Sequence, residues 1–491
     1  MGRSLRLARL GYGAFALFAA LLFVLGLCRP VMTGAERVFA GVILFGPAGA
    51  LALWGLSAWL SRWKTRSAVL ILTALCLAVK LAWVLSYRIE PAVDYKRFYD
   101  TAAALAESGR VTSRYVALFP HIMGYSLFLS GLFRIFGQSV QVATVANAAI
   151  STLSMLLIFY ILDKAASRRA AIAAALLWIA YPAQTMFNMF VLSEPLYTLT
   201  LLFIWAAVVF VRRRADARHQ GVLVAAGIVL PLLMAILNML RPIALVQLIA
   251  FLIYAALSAE KNGGVKAARL CAVGMAVLVC YFSFGVMASA YLTERLGEYP
   301  ATVPGYNIYV GFNTASRGTW NPEDSERLFT YSALPGWDAE RAQRKMLEDA
   351  LYRVRRETHE LPGLMLDKFL ILLGDDSAAV FYAGDAIRHP RMAAILCNVF
   401  YYTMALMALA GAVRAMRRKS VSPLLMVCLF GMGLTAAQLL VEVAGRYHYA
   451  ISLTLLMAAG CAFSKKNDSY SGKFDVSAKL CEINNQILPN H

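Results

Sequence analysis

The sequence predicts an all-α, polytopic membrane protein with about twelve transmembrane helices and two substantial loops on its outer face. Three observations predict it. Of the 491 residues, 60% are hydrophobic and only 15% charged, with a mean hydropathy of +0.61; a soluble domain carries more charge. Apolar runs recur, each near the ~20 residues needed to cross a bilayer. Basic residues gather in alternate connections between those runs, as loops on the cytoplasmic side do. The net charge of +19 is therefore read as orientation, not as a nucleic-acid surface.

The apolar runs fall near 11–28, 38–60, 68–87, 140–162, 170–181, 190–211, 222–240, 243–257, 267–290, 392–413, 424–440 and 447–463. The first follows a basic start without a small-residue cleavage site, so it reads as an uncleaved helix. A further apolar stretch, 119–136, is excluded by charge parity. Without it, Arg3, Arg6, Arg9, Arg62, Lys64, Arg66, Lys164, Arg168 and Arg169 share one side. Arg212, Arg213, Arg214, Arg218, Lys261, Lys266, Arg269, Arg414, Arg417, Arg418 and Lys419 fall on the same side. If 119–136 crossed, the two halves would demand opposite orientations. It reads as an interfacial or re-entrant helix, and both termini as cytoplasmic.

The expected organisation is two additional N-terminal helices (1–66), a transmembrane core (67–290) holding a first outer loop (88–139), a large extracytoplasmic loop (291–390), C-terminal helices (391–463) and a cytoplasmic tail (464–491). In the first loop, Tyr95, Phe98, Tyr99, Ala102, Leu105 and Ala106 share one helical face, as in an amphipathic surface helix. In the large loop, Asn321 and Pro322 read as a helix start. Asp338 opens another helix, with Met346, Leu347, Ala350, Leu351 and Val354 on its apolar face. Residues 361–373 read as a short apolar helix dipping into the interface. The eight cysteines avoid 291–390, so no disulfide framework is indicated.

Ionisable residues at the ends of apolar helices are the candidates for chemistry, because charge at that depth seeks a cavity or a partner. Asp94 follows a spanning helix by a few residues. It is either the N-cap of the surface helix or a general base facing the membrane surface. Glu194 in Ser193-Glu194-Pro195 and Arg241 in Leu240-Arg241-Pro242 stand at outer helix ends. Arg241 reads as a snorkelling terminus or as a guanidinium clamp on phosphate oxygens. Lys80, inside the third helix, admits the phosphate role or a carboxylate partner. Arg446, Tyr447 and His448 open the last helix, either as an interfacial anchor with a Glu442–Arg446 i,i+4 pair or as further phosphate and sugar contacts. His121, after Pro120, faces the same side. Tyr306, Asn307, Asn313 and Trp320 offer amides and rings to a sugar, or simply pack the loop. No His/Cys cluster has ligand spacing. Asp94, Asp100 and Glu107 would accept a hard cation, but do not share one face, so a metal is not indicated and the cofactor is left open. No Gly-rich nucleotide fingerprint is present.

Taken together, these segments resemble the GT-C superfamily of membrane glycosyltransferases, in its protein-mannosyltransferase-like and aminoarabinose-transferase-like branch. The likeness rests on Asp94 with the surface helix ending at Gly109, on Phe119-Pro120-His121-Ile122-Met123-Gly124-Tyr125 through Gly137, and on Tyr181-Pro182. It rests also on Leu192-Ser193-Glu194-Pro195-Leu196-Tyr197, Leu240-Arg241-Pro242, and Glu442 with Arg446-Tyr447-His448-Tyr449. It covers about 68–463; the first two helices lie outside it. It implies a GT-C-like core and an enzyme that moves a hexose or pentose from a polyprenyl-phosphate donor to a glycan, lipid or protein acceptor at the outer face of the cell membrane, without nucleic acid. Asp94 would be the catalytic base or lie beside it. Arg241, with Arg446 and Lys80, would hold the donor phosphate. Tyr95, His121, Glu194, Tyr447, His448 and Asn313 would line the substrate site. The family's metal-pairing carboxylates have no clean equivalent here, and inversion at the anomeric carbon is implied by the likeness alone. A multi-pass transporter or lipid flippase, or a lipid-linked glycan polymerase or ligase, are the competing classes.

Overall fold

A computed structural model describes residues 2–214, 220–262, 264–418 and 421–464. The polar tail, Arg218 and Lys419 lie outside the described residues. All regular secondary structure among the described residues is helical. The chain opens with α1 (Arg3–Cys28), α2 (Ala35–Leu60) and α3 (Thr65–Ser86). The segment after α3, expected to be the first outer loop, holds α4 (Val93–Ser108), α5 (Arg114–Leu118) and α6 (His121–Phe136). The core continues with α7 (Val140–Ala165), α8 (Arg168–Ala180), α9 (Pro182–Phe187), α10 (Glu194–Arg214), α11 (Gln220–Leu240), α12 (Ala244–Asn262) and α13 (Gly264–Leu296). The large loop folds into α14 (Gly305–Gly311), α15 (Pro322–Ser332), α16 (Ala339–Arg356), α17 (Leu361–Leu373) and α18 (Ala378–Ala383). Helices α19 (Pro390–Met416), α20 (Leu424–Gln438) and α21 (Tyr449–Cys461) close the bundle.

The chain is a multi-pass membrane protein in which each of the expected apolar runs is helical over most of its described length. Among the described residues, seven helices are long and apolar enough to cross a membrane: α1, α2, α3, α7, α10, Ala272–Leu296 of α13, and α19. The apolar parts of α11, α12 and α20 are shorter. Helices α8 and α21 have only 13 residues each, about 20 Å at 1.5 Å per residue. The shortness of α8 has a local cause. Pro182 is the first residue of α9, and the residue before a proline is pushed out of helical geometry; Tyr181 accordingly sits at φ −67°, ψ 108° and divides α8 from α9. Both α8 and α21 are buried almost throughout. The expected start near residue 190 moves to Glu194. The preceding non-helical turn is buried, and Asn147 Nδ2 donates to the carbonyl of Phe190 at 2.8 Å, which satisfies backbone that water cannot reach.

Helix α6 lies along α4 in parallel register. Ser126 Oγ donates to Phe98 O at 3.0 Å, and Arg134 Nη2 to Leu105 O at 2.6 Å. Because α4 carries Lys96, Arg97, Asp100 and Glu107, α6 cannot enter hydrocarbon without dragging those charges along. The packing therefore favours an interfacial position for both helices.

The bundle has a basic end. Arg169 Nη2 donates to Trp54 O at 2.9 Å, Arg414 Nη1 to Ala462 O at 3.2 Å, and Arg418 Nη1 to Ala165 O at 2.5 Å. Helix α20 starts beside this end and reaches the cleft described below with its last turn. Arg169, Arg414 and Arg418, three of the basic residues grouped by parity, thus lie at one end of the bundle, and the candidate site lies at the other end of α20.

The large loop builds a small core of its own. Tyr306, Tyr309, Val310, Leu328, Ala339, Ala342, Met346 and Ala350 pack against Ala117 and Leu118 of α5. Asn321 caps α15, accepting from Asp324 N at 2.9 Å, and Asp338 caps α16, accepting from Arg341 N at 2.7 Å. Leu351, expected on the buried face of α16, is 51% exposed; only Met346 and Ala350 of that predicted stripe are buried. Helix α17 packs on α1, with Phe18 edge-on to Phe369 at 6.3 Å.

Candidate functional site

A cleft of about 690 Å³ opens where the large loop meets the ends of α4, α6, α11, α12 and α20. It collects residues distant in sequence: Asp94, His121, Arg241, Glu442, Arg446 and Tyr447 all line it. Its far wall comes from the loop, through Tyr306, Asn307 and Trp320. Ile243, Val246, Leu434 and Ala437 give it an apolar floor at the ends of α12 and α20.

Asp94 is not the N-cap of α4. That position belongs to Ala92, and no side chain caps the helix. Asp94 stands in the first turn and pairs with the Arg446 guanidinium. Burial pushes its carboxyl up, but Arg446, supported by Arg241, outweighs this and holds it below the usual carboxylate range. Val93, just before it, takes φ +46°, a left-handed conformation that a β-branched residue adopts only under strain.

Arg241 follows the last turn of α11, its N–H bonded to Leu237 O at 2.8 Å. Its Nη2 reaches Glu194 Oε1 at 2.8 Å, with side-chain exposures of 17% and 1%. Glu194 is the first residue of α10, where a carboxylate is favoured by the helix dipole. Aromatic rings sheathe both guanidiniums. Arg241 lies 5.8 Å from the Tyr197 ring and 5.6 Å from that of Tyr447. Arg446 lies 5.6 Å from Tyr95 and 5.5 Å from each of Tyr382 and Tyr447. Tyr95 is in turn stacked on Phe190 at 5.2 Å. The Nε atoms of Arg241 and Arg446 are buried and make no hydrogen bond in the protein. Burial and the two arginines push His121 down to about 3, so its imidazole is neutral across the physiological range.

Five residues nominated from the sequence do not line the cleft: Tyr95 and Glu194 contact Arg446 and Arg241 instead, and three stand elsewhere. Lys80 is fully buried inside the bundle, its Nζ donating to Gln184 Oε1 and Thr185 Oγ1, each at 2.5 Å, and to Trp178 O at 3.3 Å. With three acceptors its three donors are satisfied, and it has no access to a phosphate in the cleft. His448 points behind the cleft, Nδ1 on Leu372 O at 2.6 Å and Nε2 on Asp376 Oδ1 at 2.8 Å. Asn313 Nδ2 donates to Asp324 Oδ2 at 2.9 Å and so braces the start of α15. The predicted Glu442–Arg446 ion pair is also absent. Helix α20 ends at Gln438, and Gly445–His448 is a separate 3-10 turn, so the two residues lack the geometry of one helical face. Among the described residues, no group of three His, Cys, Asp or Glu stands close enough to hold a metal ion.

No protein-family model matches the chain, and no curated protein matches it. Among solved structures, a similar one matches over most of the chain. It is the crystal structure of ArnT from Cupriavidus metallidurans bound to undecaprenyl phosphate, at 13% identity and a TM-score of 0.36, over 82% of this chain and 77% of that one. At so loose a likeness, the function has to be read from the cleft itself.

Proposed function

We propose that this protein is a glycosyltransferase of the GT-C type that moves a sugar from a polyprenyl-phosphate donor to an acceptor at the membrane surface. One observation carries the reading. Two largely buried guanidiniums, Arg241 and Arg446, border a cleft whose floor is apolar and lies at the ends of apolar helices. An amphiphile with an anionic head and a hydrocarbon tail matches both surfaces. A guanidinium fork suits phosphate oxygens, and each Nε is a buried donor without a partner in the protein.

The chemistry needs little more. The donor carries its own leaving group, so no nucleotide is required. An acceptor hydroxyl attacks the anomeric carbon, the carbon–oxygen bond to phosphate breaks, and the electron pair departs with the polyprenyl phosphate. Arg241 and Arg446 stabilise that charge, a preorganised contribution of the oxyanion-hole kind. Asp94 is the carboxylate that sequence reading nominates as base, and its pairing with Arg446 makes it a holder of that guanidinium. Trp320, 61% exposed on the loop, offers a ring face to a sugar. Transfer of labelled sugar from polyprenyl phosphate by membranes tests the reading, with Arg241→Ala expected to lose about 100-fold. Equal transfer by wild type and variant would contradict it.

A further inference from the structure

The carboxylates around the cleft are not equivalent. Asp94 is held by Arg446, Asp100 by Lys96 at 2.7 Å, and Glu194 by Arg241 at 2.8 Å. Glu442 also lines the cleft, yet among the described residues no cation lies within ion-pair distance of it. Its one side-chain hydrogen bond comes from the Tyr447 hydroxyl, which donates to Oε1 at 3.3 Å. Its backbone is fixed. Glu442 N donates to Asn307 O at 2.7 Å and Val443 N to Gly318 O at 2.9 Å, pinning the segment to the large loop. A Cβ on Gly311 would meet Val441 C at 2.5 Å, so the two backbones are in direct contact.

We propose that Glu442, not Asp94, takes the proton from the attacking acceptor, while Asp94 positions Arg446. The inference rests on the sugar-phosphate reading above. As the acceptor oxygen bonds to the anomeric carbon, its proton passes to the Glu442 carboxylate. The bond from the anomeric carbon to the phosphate oxygen breaks, and its electron pair leaves with the polyprenyl phosphate beside Arg241 and Arg446. The requirement on Glu442 is a carboxylate that is fixed, faces the cleft, and is not already neutralised by a guanidinium. Its protonation fits the task. Burial pushes it up to about 7, with Arg446 opposing and Asp94 reinforcing, close to the operating range where a general base works best.

The groups facing Glu442 are Arg446 and Tyr447 of the 3-10 turn, Asp94 of α4, Tyr115 of α5, Arg241 after α11, Tyr306 of α14, Lys368 of α17 and Tyr382 of α18. Burial brings Lys368 down to about 7, with Glu442 opposing, so a pH profile alone does not single out Glu442.

The test therefore compares variants under saturating donor, with polyprenyl-phosphate binding measured alongside. A base acts in its ionised form, so wild-type kcat rises with pH through about 7 and then levels. Glu442→Gln is expected to bind polyprenyl phosphate like wild type, lose about 100-fold or more in kcat, and lose the ascending limb. Glu442→Asp keeps the limb at reduced rate, and stands in if Glu442→Gln fails to fold. Asp94→Asn weakens donor binding and raises KM while keeping the limb. Glu442→Gln with wild-type kcat and an intact limb, or Asp94→Asn without one, would overturn the assignment. A wild-type protein that binds polyprenyl phosphate and transfers no sugar would instead overturn the reading beneath it.

Discussion

Removing Glu194 tests how Arg241 is held. Its Oε1 lies 2.8 Å from Arg241 Nη2, and its side chain is 1% exposed. At an effective dielectric of about 20, that separation corresponds to about 6 kcal/mol of gross attraction. Desolvation of both groups offsets much of this, so the pair itself adds little net stability. Breaking it is another matter, because a desolvated guanidinium is left uncompensated; the cost is about 3–5 kcal/mol. Glu194→Ala should therefore lower the unfolding midpoint of the detergent-solubilised protein strongly. Glu194→Gln, which keeps the shape and an acceptor, should cost less. The double variant Glu194→Gln/Arg241→Gln should cost clearly less than the sum of its single variants, since contacting residues couple by about 0.5–3 kcal/mol. Additive losses, or a Glu194→Ala protein within about 0.5 kcal/mol of wild type, would refute the argument that this pair holds Arg241 in the cleft.

Two other substitutions probe how the cleft is assembled. A Cβ on Gly124 would lie 2.2 Å from Met239 O and 2.8 Å from Leu240 N. Gly124→Ala should force α6 off α11, cost roughly 1–3 kcal/mol by overpacking, and lower thermal stability measurably; an unchanged melting profile contradicts the close approach. Lys368 Nζ donates to Gly311 O at 2.7 Å and to Leu439 O at 2.6 Å, joining the large loop to the end of α20. Lys368→Met removes two hydrogen bonds, each worth roughly 0.5–1.5 kcal/mol, and should speed limited proteolysis within 291–390. Cleavage at the wild-type rate would show that other contacts dock the loop.

Much of the architecture was legible because hydrocarbon imposes length and apolarity on every span. What escaped was local. The run expected over 170–181 does stop before Pro182, but the short helix α9 (Pro182–Phe187) that follows it was not foreseen, and α8 can be short because its neighbours bury it. In the site, Asp94, Arg241 and Arg446 were legible as charges placed beside apolar helices, where partners are obligatory. Their pairing was not. The i,i+4 rule linked Glu442 to Arg446 by assuming an unbroken helix, whereas the chain leaves α20 at Gln438 and the guanidinium turns to Asp94. Lys80 and His448 carry the same signal as Arg241, an ionisable group in apolar surroundings. Their partners, Gln184, Thr185 and Asp376, are far away in sequence, so one strand of sequence cannot separate a satisfied buried group from one that faces a cleft. Glu442 was visible as a helix-end anchor and within the GT-C-like motif, not as a base; its freedom from an ion pair is a property of the fold.

The central claim is that Arg241 and Arg446 receive the phosphate of a lipid-linked sugar. The most direct measurement offers the purified, reconstituted protein the same labelled sugar on a polyprenyl phosphate and on a nucleotide, and follows transfer to acceptor for wild type and Arg241→Ala. The account predicts transfer from the polyprenyl phosphate alone, reduced about 100-fold in the variant. Transfer from the nucleotide sugar instead, or transfer from the lipid donor that ignores Arg241→Ala, would contradict it.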